Sequence, residues 1–255
     1  MYFKFNKINI YYEKYGNNEQ SIIILPGWGN TRETFNNIIN YFKDNYTIYI
    51  LDYPGFGNSK PLNQELNIYD YAFIIKNFMK QNNINNPIII AHSFGGRITA
   101  LLNSYYNITL NKIVLIDVAG IKRFNLKLMI KKFIYKLLIR LTKLFPKEKK
   151  EYLKEKLFQK YSSADYKNLN INMRNTFKNI INEDLKKYYK NINTETLIIW
   201  GEKDEDTPLK DAKLLNKLIK NSGLIIFKNL PHYSYIYNPN KVNKIIEIFI
   251  KEKKE

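Results

Sequence analysis

The 255-residue chain has no cysteine and only two histidines, His92 and His232. The first absence excludes a disulfide scaffold, a thiolate zinc site, an iron–sulfur cluster and a cysteine nucleophile. The second argues against a His-rich metal site, so neither a metal nor another cofactor is expected. If histidine chemistry occurs, one of these two side chains performs it. No uncharged apolar run reaches the roughly 18 residues of a membrane span, so no transmembrane helix is expected. Residues 1–16 alternate polar and apolar and lack the continuous apolar stretch of a signal peptide. These absences together lead to the expectation of a cytoplasmic protein.

Acidic residues are also scarce. The 23 Asp and Glu stand against 41 Lys and Arg, for a formal charge of +18. Such a charge would attract nucleic acid, an anionic membrane or an acidic substrate. The abundance of Asn, Ile, Lys and Tyr, all encoded by AT-rich codons, offers genome composition as a competing cause. The charge is uneven, however: residues 121–190 hold 20 basic and 6 acidic side chains, so +14 of the +18 lies there. Codon bias alone does not explain that concentration. No nucleic-acid-binding motif accompanies it, and no nucleic-acid partner is expected.

The length fits one large α/β domain or two small ones. Residues 2–15 alternate like two antiparallel strands at a sheet edge. Six short apolar runs follow: Ser21 to Leu25, Tyr46 to Leu51, Pro87 to Ala91, Lys112 to Ile116, Thr196 to Trp200 and Leu224 to Phe227. Segments with helical spacing separate them. Continuous apolar runs of about five residues alternating with helices mean strands buried on both faces of a parallel sheet. The rhythm breaks over residues 121–191, which read as helical and basic. That stretch is expected to be a helical cap inserted after the sixth strand of a core formed by residues 1–120 and 192–255.

Ala91-His92-Ser93-Phe94-Gly95-Gly96 lies between an apolar run and a helix. A nucleophilic serine needs a sharp strand-to-helix turn that lifts its Oγ out of the sheet, with small residues two positions before and after it. Ala91 and Gly95 meet that demand, which makes Ser93 the candidate nucleophile. His92 is poorly placed to accept its proton, because side chains at consecutive turn positions diverge. His232, in a loop after the last apolar run, is then the candidate base. A carboxylate between the two in chain order should orient the base. Glu202, Asp204, Glu205 and Asp206 compete after one strand and Asp117 ends another; spacing does not separate them. Asp206 is expected to cap the helix that starts at Pro208. Gly27-Trp28-Gly29 offers a loop whose Trp28 N–H can join that of Phe94 as an oxyanion hole.

These residues resemble the α/β-hydrolase superfamily, in its group of esterase-like serine hydrolases with a helical cap. The resemblance rests on Pro26-Gly27-Trp28-Gly29, on Asp52-Tyr53-Pro54-Gly55-Phe56-Gly57-Asn58-Ser59, on His92-Ser93-Phe94-Gly95-Gly96, on Trp200-Gly201-Glu202-Lys203-Asp204, and on His232 with Pro239. It implies a mostly parallel central sheet flanked by helices and a Ser93–His232–Asp204 triad, with oxyanion donors at Trp28 and Phe94. It also implies cleavage of a carboxylic ester in a small-molecule ester or acyl substrate. Gly-Trp-Gly is similar to carboxylesterases that act on methyl esters of carrier-bound acyl chains. The family usually has His where Pro26 stands. Serine at the elbow argues against epoxide hydrolases and haloalkane dehalogenases, which use Asp there. A cofactor-free C–C bond hydrolase would use the same triad, and a catalytically silent binding protein is the remaining alternative.

Residues 126–145 read LKLMIKKFIYKLLIRLTKLF. At 100° per residue Lys132, Lys136, Arg140 and Lys143 form a basic stripe and most of the remainder is apolar. The expected arrangement is a cap helix whose apolar side roofs the pocket while its lysines face water. A weak contact with anionic membrane through this helix, or an anionic substrate, are the alternatives.

Overall fold

The computed structural model of the chain describes residues 1–6, 8–59, 64–123, 126–162, 164–167 and 169–252. Each of the six apolar runs forms a strand. β1 (Tyr2–Phe5) and β2 (Ile8–Tyr15) make the antiparallel edge, and β3 (Ser21–Leu25), β4 (Thr47–Leu51), β5 (Ile88–His92), β6 (Ile113–Ile116), β7 (Thr196–Gly201) and β8 (Ser222–Phe227) run parallel to one another. The sheet order is β1-β2-β4-β3-β5-β6-β7-β8. The crossovers place the carboxyl ends of the parallel strands along one edge, where α/β proteins assemble their sites.

Alternate residues of these strands enter two separate cores. Ile23, Leu25, Ile89, Leu115 and Ile198 pack on one face, and Ile22, Ile24, Ile90, Val114 and Ile199 on the other. The second face is covered by α1 (Asn36–Phe42), and the first by α2 (Ile68–Gln81) and α3 (Phe94–Ser104). Burial on both faces is why the strands read as unbroken apolar runs. The start of α2 is fixed by a capping box: Asn67 accepts from the Asp70 amide, and Asp70 accepts from the Asn67 amide.

Between β6 and β7 the chain forms α4 (Leu126–Leu141), α5 (Lys147–Tyr161), α6 (Ala164–Lys167), α7 (Ile171–Asn182) and α8 (Lys186–Lys190). The two ends of this excursion meet where the Leu185 amide donates to Gly120 O at 2.9 Å. A second tie comes from α3, whose buried Arg97 donates through Nη1 to Ile180 O and Glu183 O. A cation facing the carbonyl end of α7 is favoured by that helix's dipole. After β7 come α9 (Leu209–Leu218), α10 (Ser234–Tyr237) and α11 (Pro239–Lys251), the last packing with α1 on the second face.

Two expectations are corrected. Asp206 caps no helix: α9 begins after Pro208, whose extended backbone ends the preceding loop, and no side chain caps it. The α4 helix does not turn its apolar side onto the pocket. Its inward positions are Tyr135, Leu138 and Ile139, followed by the buried Thr142, while its longest apolar ridge faces solvent. The α-helix ends at Leu141 and a 3-10 turn over Thr142–Leu144 follows, so the 100° projection does not extend to Lys143. Among the described residues no helix is long and apolar enough to cross a membrane.

Candidate active site

Ser93 is the single residue between β5 and α3, with φ 47° and ψ −108°. A non-glycine residue there costs about 1–3 kcal/mol, so its neighbours must hold it. The Ser93 amide donates to Ile116 O at 3.2 Å, and Ser93 O accepts from Gly96 and from Ala119 at 2.9 Å. The sharp turn also explains the glycines. A Cβ on Gly95 would stand 2.0 Å from Leu25 O, and one on Gly96 2.4 Å from Val118 Cβ. No hydrogen bond engages Ser93 Oγ among the described residues.

The loop after β7 folds Asp204 back on its own backbone. Its Oδ1 accepts from the amides of Asp206 (2.9 Å) and Thr207 (2.8 Å), and its Oδ2 accepts from Thr207 Oγ1 at 2.6 Å. His232 reaches this carboxylate from the loop after β8: Nδ1 lies 2.8 Å from Asp204 Oδ2, both residues buried. A cavity of about 410 Å³ brings Ser93 and His232 together with Trp28, Phe94, Asp206 and Tyr233. Phe177, Ile180 and Ile181 of α7 close its other side, and among the described residues none from α4 lines it. Among the described residues, neither the Trp28 amide nor the Phe94 amide donates to the chain.

Electrostatics separate the two histidines. Burial is the largest influence on His232 and lowers its pKa. The hydrogen bond to Asp204 and the charges of Asp204, Asp117 and Asp206 together outweigh it, and its pKa sits above the ordinary value. His92 is fully buried, with Nε2 3.0 Å from His232 O and the two rings 4.8 Å apart. Burial, reinforced by the charge of His232, pushes it down to about 3. His92 is therefore neutral at working pH; with Nε2 protonated it donates to the backbone of the His232 loop, which fixes that loop over the elbow.

Among the described residues no hydrogen bond joins Asp117 to His232. Asp117 takes a left-handed φ of 48° after β6, accepts from the Gly201 amide at 2.7 Å, and accepts from Ser234 N and Oγ. It thus ties together the ends of β6 and β7 and the histidine loop. Burial pushes its carboxyl up to about 7. Glu202 faces away and accepts from the Asn229 amide. Asp204, Asp206 and His232 each bring a metal-capable atom within 4.8 Å of the others. A cation bound there through Nδ1 would break the Asp204–His232 bond.

The chain matches the α/β hydrolase fold family over residues 20–239. It belongs to the α/β-hydrolase family. Among curated relatives, the uncharacterized hydrolase YugF of Bacillus subtilis is 25% identical over 98% of this chain and 97% of its own. The pimeloyl-[acyl-carrier protein] methyl ester esterase of Wigglesworthia glossinidia brevipalpis is 26% identical over 93% of this chain and 96% of its own. The crystal structure of MGS-M2, an alpha/beta hydrolase enzyme from a Medee basin deep-sea metagenome library, superposes with a TM-score of 0.78 at 20% identity, covering 100% of this chain and 98% of that one. By family this hydrolase is an enzyme with esterase-like relatives, which suggests a small-molecule substrate.

Several contributors were not visible in the sequence. Thr207 reads as an ordinary loop threonine; only its spacing of three from Asp204, suited to a side chain that accepts from its own loop, hinted at it. Phe177, Ile180 and Ile181 look like any apolar helix positions. His92 looked like a bystander of the turn, yet it supports the loop that carries His232.

Proposed function

We propose that the protein is a serine hydrolase that cleaves a carboxylic ester through an acyl-enzyme. The observation that carries this reading is the convergence on one cavity of a strained, unbonded Ser93 and a buried Asp204–His232 pair. In this reading Ser93 Oγ attacks the ester carbonyl carbon while His232 Nε2 takes its proton. The carbonyl oxygen becomes an oxyanion, and the free amides of Trp28 and Phe94 donate to it. As the tetrahedral adduct collapses, the C–O bond to the alcohol breaks and His232 returns the proton to the leaving alkoxide. Water, deprotonated by His232, then releases the acid and restores Ser93.

Asp204 orients His232 and stabilises its charged form; Thr207 and His92 support that orientation. Residues 121–191 act as a lid on the core of residues 1–120 and 192–255, with α7 as the roof of the site. The aromatic and aliphatic lining by Trp28, Phe94, Phe177, Ile180 and Ile181 suits an apolar acyl group. The methyl ester esterase among the relatives agrees with an ester of this kind.

An ester panel of graded acyl length tests the reading. Because a methylene in an apolar pocket changes kcat/KM by about tenfold or more, activity should rise with chain length until the cavity fills and then fall. Turnover of none of these esters, with cleavage of a C–C bond beside a carbonyl instead, would replace ester hydrolysis with the ring-cleavage type of reaction.

A further inference from the structure

The α4 helix presents to solvent a face that soluble proteins ordinarily bury. Leu126, Ile130, Phe133, Ile134, Leu137 and Leu141 are each 40–68% exposed. Their spacing aligns them on one side of the helix. The ridge runs on through Leu144, which is 80% exposed, and Phe145. A 16-residue helix is about 24 Å long, so the ridge is a continuous apolar edge and not a set of scattered surface residues. The opposite side of the helix is apolar too, and its Tyr135, Leu138 and Ile139 are half-buried toward the cap.

Charge identifies what fits this edge. Residues 126–141 contain five Lys and Arg and no Asp or Glu. Lys132, Lys136 and Arg140 are exposed along one flank of the ridge, and Lys131 lies on the other. Long cationic side chains beside an apolar ridge can extend to phosphate headgroups while the ridge enters the acyl boundary. A second copy of the chain would bring the same cations against these. A protein partner would need an apolar groove edged with acid on both sides to receive a single convex helix.

We propose that α4 is an interfacial helix that docks the protein on an anionic lipid bilayer, lying in the surface plane without crossing it. This inference is independent of the hydrolytic mechanism, and its test reads binding, not turnover. The full chain is floated with phosphatidylcholine vesicles, and with vesicles in which about one-third of the lipid is phosphatidylglycerol. Wild type should partition onto the anionic vesicles at least about tenfold more than onto neutral ones, and high salt should weaken that preference. Phe133→Asp with Leu137→Asp should lose binding about tenfold or more, while Lys132→Glu, Lys136→Glu and Arg140→Glu together should abolish the anionic preference. Thermal unfolding matching wild type shows that the variants are folded, since the replaced side chains are exposed.

Absence of wild-type binding to anionic vesicles overturns the proposal. So does equal binding by the Asp double variant, which would mean adsorption by charge alone. Sedimentation of wild type as a dimer that the double variant dissolves, with no vesicle binding, would assign the ridge to a second copy.

Discussion

Ser93→Ala is expected to lower kcat for ester hydrolysis about a million-fold, the scale on which serine triads depend on their nucleophile. The same change should leave unfolding within about 0.5 kcal/mol of wild type. Both halves follow from the elbow. Among the described residues Ser93 Oγ makes no hydrogen bond whose loss would cost stability, and the strained backbone is held by main-chain bonds to Ile116, Gly96 and Ala119 that alanine retains. A large catalytic loss with intact folding separates a reacting group from a structural one. Steady-state kinetics on the best ester of the panel, alongside urea unfolding, measures both. Retention of a tenth of the wild-type rate would remove Ser93 from the mechanism.

Asp204→Asn is expected to lower kcat by about four orders of magnitude, on the precedent of triads in which the wrong histidine tautomer is imposed. The local bonding says why the tautomer should change here. Oδ1 accepts from two backbone amides, those of Asp206 and Thr207, so the oxygen of an asparagine must remain on that side. Its amide nitrogen then replaces Oδ2 and points a donor at His232 Nδ1. His232 would answer by moving its proton to Nε2, the atom that has to accept the proton of Ser93.

The pH profile carries a second signature of the same pair. Only neutral His232 can act as base, so kcat/KM should rise with pH through its pKa. Because that pKa is held above 6.5, the wild-type limb should lie above this value. Asp204→Asn removes the two leading influences that raise this pKa, the hydrogen bond to the carboxylate and its charge, while burial stays, so the residual activity should show a limb shifted to lower pH. A limb that stays in place would mean that the titrating group is not paired with Asp204.

The sheet was legible because two-sided burial leaves an unmistakable mark: runs such as Ile22 to Leu25 and Ile88 to Ala91 have no polar face. The elbow was legible because its geometry tolerates few residues at 91 and 95. The acid was not. Four carboxylates lie within five positions, and what distinguishes Asp204 is a loop that folds its own amides onto Oδ1, a feature with no hydropathic pattern. Asp206 fails as a helix cap because Pro208 occupies the extended position before α9. The orientation of α4 was equally hidden. Amphipathic reasoning assumes that an apolar ridge seeks the core, but α4 is apolar on two sides, and the cap has room for only one of them. The pocket roof falls instead to α7, whose Phe177 and Ile180 carry no signal apart from helical spacing.

The central claim is that Ser93 is an activated nucleophile in an accessible site. A fluorophosphonate probe tests it most directly, because phosphonylation forms a stable bond only with a serine whose Oγ is deprotonated as it attacks. The account predicts stoichiometric labelling of the native protein, with the adduct on the peptide containing Ser93, and no labelling of Ser93→Ala or of heat-unfolded wild type. Folded wild type that stays unlabelled, or that is labelled equally after Ser93→Ala, would contradict it.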